Sequence, residues 1–309
     1  MTPTLELDYQ AFVHRARASE AFVVSAAELS AGVFDVLLRV PASSSTGQGD
    51  AGHHYFGDGI PGGAVADDLF LQEAARQACT LIVHAFHGLP MDHSFLVRSW
   101  SYRPGIAPAE SATHVRATVT TSNPQHRKGN LTRLTSHVAL GLTAHDDSLG
   151  RVEVDATYLE RTRYAALRSH GRQTPAPLSS ELPPRDDSGL PRAELVGRVG
   201  ADNVLIDATD AGGMTLSIPF EHQTFFDHPL DHVTMLLAVE AARQRVLFDC
   251  DPAPAGDAVR LGYDVTFPGM LELDSPITLS RREESPTTIA FEQSGVTRAV
   301  VTVTDGYRL

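Results

Sequence analysis

Lysine is almost missing from this sequence: Lys128 is the single one in 309 residues, so 24 of the 25 basic positions are arginine. A GC-rich coding bias yields that composition, but so does a need for guanidinium, which grips phosphate or carboxylate with paired hydrogen bonds. Cysteine is nearly as scarce. Cys79 and Cys250 show neither metal spacing nor a disulfide framework, which points to a reducing compartment. No apolar run approaches the ~20 residues of a membrane span. The opening MTPTLELDYQ has neither a basic nor an apolar leader region, so the expectation is a cytoplasmic protein with no membrane partner. A formal charge of -13 leaves no dominant basic surface and argues against nucleic acid. What is present is ordinary for a globular chain, with 42% hydrophobic and 20% charged residues, enough for one large or two medium domains.

Alternation of β-branched and polar residues predicts strands over 22–25 and 33–40, then a Ser-, Gly- and His-rich loop over 41–63. Residues 67–87 read as a helix: Asp67 and Asp68 suit its positive end, Gly88 and Pro90 stop it. On it Glu73, Arg76, Gln77, Thr80 and His84 form one polar stripe. Strands follow over 95–102, 114–121, 131–144 and 152–158. The five prolines of 168–192 make that stretch a linker. Beyond it the order recurs, with strands over 204–209 and 214–219, a helix to about 248, and strands over 258–267, 277–281, 288–293 and 297–303. The fold class is α+β with a mainly antiparallel sheet, and the domain limits are 1–167 and 193–309.

The densest chemistry lies in HQTFFDHPLDHVTMLLAVEAARQ, residues 222–244. Asp227, His228, Asp231 and His232 crowd a Pro-containing turn before an apolar helix that carries Glu240, Arg243 and Gln244 on one face. Charges on such a helix are costly unless paired or used. Without cysteine or a second ligand cluster, the turn is not expected to hold a metal, and no cofactor is implied. Glu73-Ala-Ala-Arg76-Gln77 recurs letter for letter as Glu240-Ala-Ala-Arg243-Gln244, each copy on a helix entered from a His-containing loop. Two copies of one unit in a chain most simply pack as a pseudo-dimer, whether the chain is a monomer or pairs again.

A central helix bearing Glu-Ala-x-x-Gln after a His-Pro loop resembles the hot-dog fold, and the chain is most similar to the A-factor biosynthesis (AfsA-type) family of γ-butyrolactone synthases. That resemblance rests on Val13-His14-Arg15, on Glu73-x-x-Arg76-Gln77 with His84 and Gly88-x-Pro90, and above all on 227–233 leading to Glu240-Ala-Ala-Arg243-Gln244. It departs where Thr234-Met235-Leu236 replaces the family's Pro-Gly-Met. It implies two tandem hot-dog domains and transfer of a β-ketoacyl group from a carrier protein or coenzyme A to the hydroxyl of dihydroxyacetone phosphate. The ester would then close to the butenolide phosphate precursor of a signalling lactone or furan.

For that chemistry the expected catalytic residues are Glu240 as base, with Arg243, His228 and Glu73; Arg76, His232, Asp231, Gln244 and Gln77 are expected to bind substrate. The turn before the second helix would offer N–H groups to the thioester oxygen. A carrier would dock on Arg161, Arg163 and Arg168, or on His126-Arg127-Lys128 with Arg133. The competing readings are a hot-dog dehydratase or thioesterase, and a non-catalytic acyl-binding protein.

Overall fold

A computed structural model describes residues 8–42, 53–58, 60, 63–106, 112–170, 172–209, 213–249 and 260–304. Its frame is one twelve-stranded sheet in which all the pairings are antiparallel. The first half supplies β1 Val23–Ser30, β2 Val33–Arg39, β3 Ser94–Pro104, β4 His114–Arg127, β5 Asn130–Gly141 and β6 Gly150–Leu159. The second supplies β7 Ile206–Ala208, β8 Met214–Leu216, β9 Gly262–Thr266, β10 Thr278–Arg282, β11 Ser285–Gln293 and β12 Val296–Thr304. The spatial order is β1-β2-β4-β5-β6-β3-β9-β12-β11-β10-β8-β7. The two halves therefore join through β3 and β9, with Trp100 opposite Val265 and Tyr102 opposite Tyr263.

Two long helices lie against this sheet, α2 (Asp68–Ala85) on the first half and α4 (Met235–Asp249) on the second, and they also touch each other. The Asp67 side chain caps α2 by accepting from Leu69 N at 2.9 Å. Gly88, at φ +68°, turns the chain away after it. Thr234 caps α4, its hydroxyl accepting from Leu237 N at 3.4 Å, so the Thr that departs from the family pattern begins the helix. Every residue from Met235 to Gln244 is buried, as expected of a helix enclosed on nearly all sides. Strand patterning is equally direct: β6 alternates buried with less buried positions along its whole length. One apolar core runs through both halves, with Phe22, Phe56, Phe70, Tyr102, Tyr263 and Phe291 fully enclosed. The result is the tandem hot-dog architecture.

Most expected strands differ from the observed ones only at their ends, though the hairpin of β4 and β5 reaches the turn at Lys128-Gly129. Two α-helices are additional, the short α1 (Tyr9–Phe12) and α3 (Arg161–Ser169), along with several single-turn 3-10 helices. In the expected 41–63 loop, Tyr55 and Phe56 are fully buried, while 43–52 lie outside the described residues, as do Cys250 and the start of the expected 258–267 strand.

Candidate functional site

The repeated pentapeptide places two near-identical polar networks on either side of a pseudo-twofold axis. Gln77 donates to Glu73 Oε1 at 2.7 Å and Gln244 donates to Glu240 Oε1 at 2.7 Å. Each glutamine also ties its helix to the adjoining chain. Gln77 accepts from Phe22 N and donates to Glu20 O; Gln244 accepts from Leu205 N and donates to Asn203 O. Arg15 then answers to Arg198, donating from Nε to Glu73 at 3.1 Å as Arg198 donates to Glu240 at 2.8 Å. Two aspartates cross between halves. Asp227 Oδ2 accepts from Ala16 N and Arg17 N at 2.6 and 3.3 Å, and Asp58 Oδ2 accepts from Val199 N and Gly200 N, both at 3.2 Å.

The symmetry fails where chemistry is available. A cavity of about 1250 Å³ opens on the first network and includes Glu73, Arg76, Arg15 and His14, faced by His228, Asp231 and His232 of the second half. Glu240, Arg243, Gln77 and Gln244 are not among its lining residues. At the equivalent place Tyr55 stands where the first network has Thr224, and the Arg198 guanidinium lies 4.3 Å over its ring. Arg198 also donates to the Tyr55 hydroxyl at 2.9 Å, and Arg243 is spent on the carbonyls of Val196 and Gly197 at 3.1 and 3.3 Å. Arg198 and Glu240 have fully buried side chains. That side is filled by Tyr55, Arg198 and Arg243, so the expected Glu240–Arg243 pair sits in a closed ionic core. The expected glutamines tie each helix to the segment leading into β1 or β7.

In the open half, burial alone would raise the Glu73 carboxyl, but the charges of Arg15 and Arg76, with bonds from Arg76 and Gln77, hold it down at about 2. It is an anion that fixes two arginines and is too weak a base for proton abstraction near neutrality. Arg15 spans onward, donating to Asp227 Oδ1 at 3.2 Å and to Thr224 O at 3.0 Å. His228 donates from Nδ1 to Asp227 Oδ1 at 2.6 Å. Burial pushes Asp227 up, but the His228 hydrogen bond and Arg15 outweigh it and bring it to about 2. His232 Nδ1 lies 2.7 Å from Asp231 Oδ1, and α3 supports this second pair: the Tyr164 hydroxyl donates to Asp231 at 2.7 Å and Arg168 Nε at 2.9 Å. Two carboxylate–imidazole pairs thus face one cavity.

Its remaining wall is largely apolar, with Trp100, Leu134, Val154, Ala156 and Phe267, and α4 enters it through Thr234, Met235 and Leu236. Cys79 also lines it, but burial pushes its thiol up to about 12, which removes it as a nucleophile near neutral pH. Of the arginines expected to dock a carrier, Arg168 is buried against Asp231 and Glu272, and Arg133 pairs with Asp155. Arg161 is exposed and lines the cavity. A third cluster, Glu20, His53 and His54, brings ligand-type atoms within 4.8 Å. His53 Nδ1 accepts from Tyr55 N and Phe56 N, so its Nε2 carries the proton toward Glu20 Oε1, 3.1 Å away, and has no lone pair for a metal.

Sequence reading alone left Arg15, Asp227, Arg198 and Tyr164 without roles. The signal for the arginines is a Val-x-Arg echo, Val13-His14-Arg15 against Val196-Gly197-Arg198, and for the aspartates it is His53-x-x-Phe56-x-Asp58 against His222-x-x-Phe225-x-Asp227. Tyr164, on a short amphipathic helix, carries no such signal.

Among known proteins, the 2-oxo-3-(phosphooxy)propyl 3-oxoalkanoate synthase of Streptomyces griseus is 26% identical over 245 residues, 78% of this chain and 75% of that one. The protein of the same name from Streptomyces virginiae is 28% identical over 244 residues, 75% of this chain and 73% of its own. The solved 12:0-ACP thioesterase from Umbellularia californica superposes with a TM-score of 0.47 at 11% identity, over 92% of this chain and 100% of that one. The model of the A-factor biosynthesis hotdog domain (AfsA) matches residues 3–160 and 186–305, nearly all of both halves, and the chain belongs to that family.

Proposed function

We propose that this chain is an acyltransferase that joins a β-ketoacyl thioester to the hydroxyl of dihydroxyacetone phosphate. The observation that carries the reading is the meeting, on one cavity, of the Asp227–His228 pair from the second half with the Glu73–Arg15–Arg76 cluster of the first. The relatives' name describes an oxoalkanoate ester of a phosphooxy-oxopropyl group, the product such a transfer would give.

In this mechanism the acceptor hydroxyl attacks the thioester carbonyl. A C–O bond forms, the C–S bond breaks, and the hydroxyl proton passes to His228 Nε2 and then to the departing thiolate. Asp227 keeps Nδ1–H in place and favours the imidazolium that forms. The Met235 and Leu236 N–H groups at the start of α4, which a helix cannot satisfy internally, receive the developing oxyanion. The acyl chain lies along the Trp100–Leu134–Ala156 wall. Arg161, with no carboxylate partner among the described residues, is the cation for the phosphate, and Arg76 adds positive charge deeper in. Glu73 positions both Arg15 and Arg76. Asp231–His232 remains available to orient the acceptor or the ester.

A dehydratase would need a carboxylic acid that gives up and regains a proton, which a glutamate held ionised by two arginines does not provide. The test is to incubate the purified chain with a β-ketoacyl-coenzyme A, with and without dihydroxyacetone phosphate, following thiol release and product mass. Acceptor-dependent thiol release with the ester mass is the expected result. Thiol release independent of acceptor would make the chain a thioesterase, and tight binding without release would make it an acyl-binding protein.

A further inference from the structure

His14 has a backbone conformation that its counterpart leaves to glycine. It sits at φ +55°, and the matching Gly197 sits at φ +69°. Glycine adopts that region freely, whereas a residue with a Cβ is strained there, and such strain persists where surrounding structure enforces it. What enforces it is a chain of hydrogen bonds with one consistent set of protons. Leu89 O only accepts, so His84 Nδ1, 2.7 Å away, carries a hydrogen. Burial, set against the Leu89 bond, keeps His84 below the usual histidine range, so the ring is neutral and its Nε2 holds a lone pair. His14 Nε2, at 2.8 Å from that lone pair, must therefore donate. The remaining atom, His14 Nδ1, is a lone pair on a ring that lines the cavity, with no partner among the described residues.

We infer that His14 is the fixed hydrogen-bond acceptor for the attacking hydroxyl, held in one tautomer by His84, and that it selects an acceptor substrate with an O–H at that carbon. The assignment rests on the acyl-transfer reading for the identity of the hydroxyl. It divides the work between two imidazoles. Burial first, then the charges of His84, Arg76 and His228, bring His14 down to about 3, so it orients the O–H without taking its proton. One O–H serves one acceptor at a time: the hydroxyl held by His14 Nδ1 in the bound complex turns to His228 as it attacks, and His228, backed by a carboxylate, takes the proton. The groups facing His14 are His84 and Arg76 of α2, His228 from the other half, and Phe95 on β3, whose ring lies perpendicular to it with its centroid 5.1 Å away. None of them is a carboxylate that would favour a charged ring. A ligand without the hydroxyl leaves Nδ1 dry and unpaired, and that loss is the source of discrimination.

The probe is hydroxyacetone phosphate, which has the ketone and phosphate of dihydroxyacetone phosphate but a methyl in place of CH2OH. Wild type should bind the hydroxylated ligand about three- to tenfold more tightly, the range of one neutral hydrogen bond. His14→Ala should erase that ratio and raise KM for the acceptor while leaving the thioester KM unchanged. His14→Asn, which tolerates the left-handed backbone and keeps a carbonyl acceptor, should restore part of it. In His84→Leu the ring remains but its tautomer is released, so ¹⁵N-histidine spectra should show His14 changing from one tautomer to a mixture as the ratio falls. An unchanged ratio in His14→Ala, or an Nδ1–H tautomer in the wild type, overturns the inference. Because binding needs no turnover, the two ideas separate. A hydroxyl preference that depends on His14, without ester formation, would defeat the acyl-transfer reading alone; ester formation by His14→Ala at the wild-type acceptor KM would defeat this one alone.

Discussion

His228 and Asp227 are neighbours in sequence whose side chains meet at 2.6 Å, while the same carboxylate is bound by the backbone of Ala16 and Arg17 from the other half. The pair is thus oriented by the inter-half contact. On the acyl-transfer reading, Asp227→Asn removes the charge that stabilises an imidazolium and frees the imidazole to take the wrong tautomer. Initial rates should fall by on the order of 10²-fold or more, the low end of general-base contributions. His228→Ala should do the same, and the double variant should be no worse than the more impaired single one, since the two act as a unit.

Glu73 and Glu240 predict opposite readouts despite sharing a pentapeptide. Glu73→Gln leaves Arg15 and Arg76 without their common anion on the cavity wall, so activity per folded molecule should drop sharply. Glu240→Gln takes from Arg198 its nearest anion in a closed core and leaves it Asp67, 3.6 Å away. Its cost should be about 3 kcal/mol of stability or less, the low end of the penalty for orphaning a buried charge. Activity normalised to folded protein should then remain within about twofold of wild type. Denaturant titrations paired with rate assays separate the two, and a loss of specific activity in Glu240→Gln would put the working site in the wrong half.

If the second network is a structural core, removing both of its charges should hurt less than removing one. Arg198→Met alone should be as damaging as Glu240→Gln, because the only cation Glu240 then keeps is the looser contact with Arg243, 3.6 Å away. Arg198→Met combined with Glu240→Leu exchanges an ion pair for apolar volume, a change that is often neutral or stabilising. The double variant should recover at least half of the loss in a urea midpoint series, and strict additivity would exclude direct coupling between them.

How far the sequence reaches is visible in these same residues. The repeat, the helices and the antiparallel strands follow from periodicity and from a five-residue identity, because local patterning sets them. The identity of the working half does not follow, since Glu73 and Glu240 read alike. What separates them is set by tertiary neighbours distant in sequence: Tyr55 and Gly197 fill and close one side, Thr224 and His14 open the other. Arg15 and Arg198 are equally hidden from a local reading, as each meets its glutamate across 58 or 42 residues. α3 escaped notice because its nine residues merge into a polar, proline-rich stretch, although Tyr164 and Arg168 hold the Asp231–His232 pair.

The acyl wall makes a prediction of its own. Ala156 and Leu134 line the cavity beside Trp100, so Ala156→Phe adds a ring where the chain would lie. Each methylene denied burial costs about 0.8 kcal/mol, roughly fourfold in kcat/KM. A ladder of β-ketoacyl thioesters from C6 to C12 should show the variant's optimum shifted to shorter chains, with the shortest donor scarcely affected. A uniform loss across the ladder would mean that the chain does not lie against β6.

Part of the acid sensitivity should come from a histidine outside the cavity, alongside His14 within it. His222 accepts from Thr224 N and Phe225 N at Nδ1 and donates from Nε2 toward Asn203 Oδ1 at 2.9 Å, so both nitrogens are committed and the neutral ring is required. Burial, with the nearby charges of His54, Arg185 and Arg198, lowers it from 6.5 to about 3. The unfolded chain takes up a proton there that the folded chain refuses. Stability should therefore be fullest above pH 6.5 and fall with decreasing pH from 6.5 to about 3, by at most about 1.4 kcal/mol per pH unit from this one group. Urea midpoints at pH 7.5, 6.0 and 5.0 measure the slope. His222→Gln, which keeps a side-chain amide but cannot titrate, should lower stability at pH 7.5 yet flatten the decline to pH 5. An equally steep decline in the variant would assign the acid sensitivity to other groups.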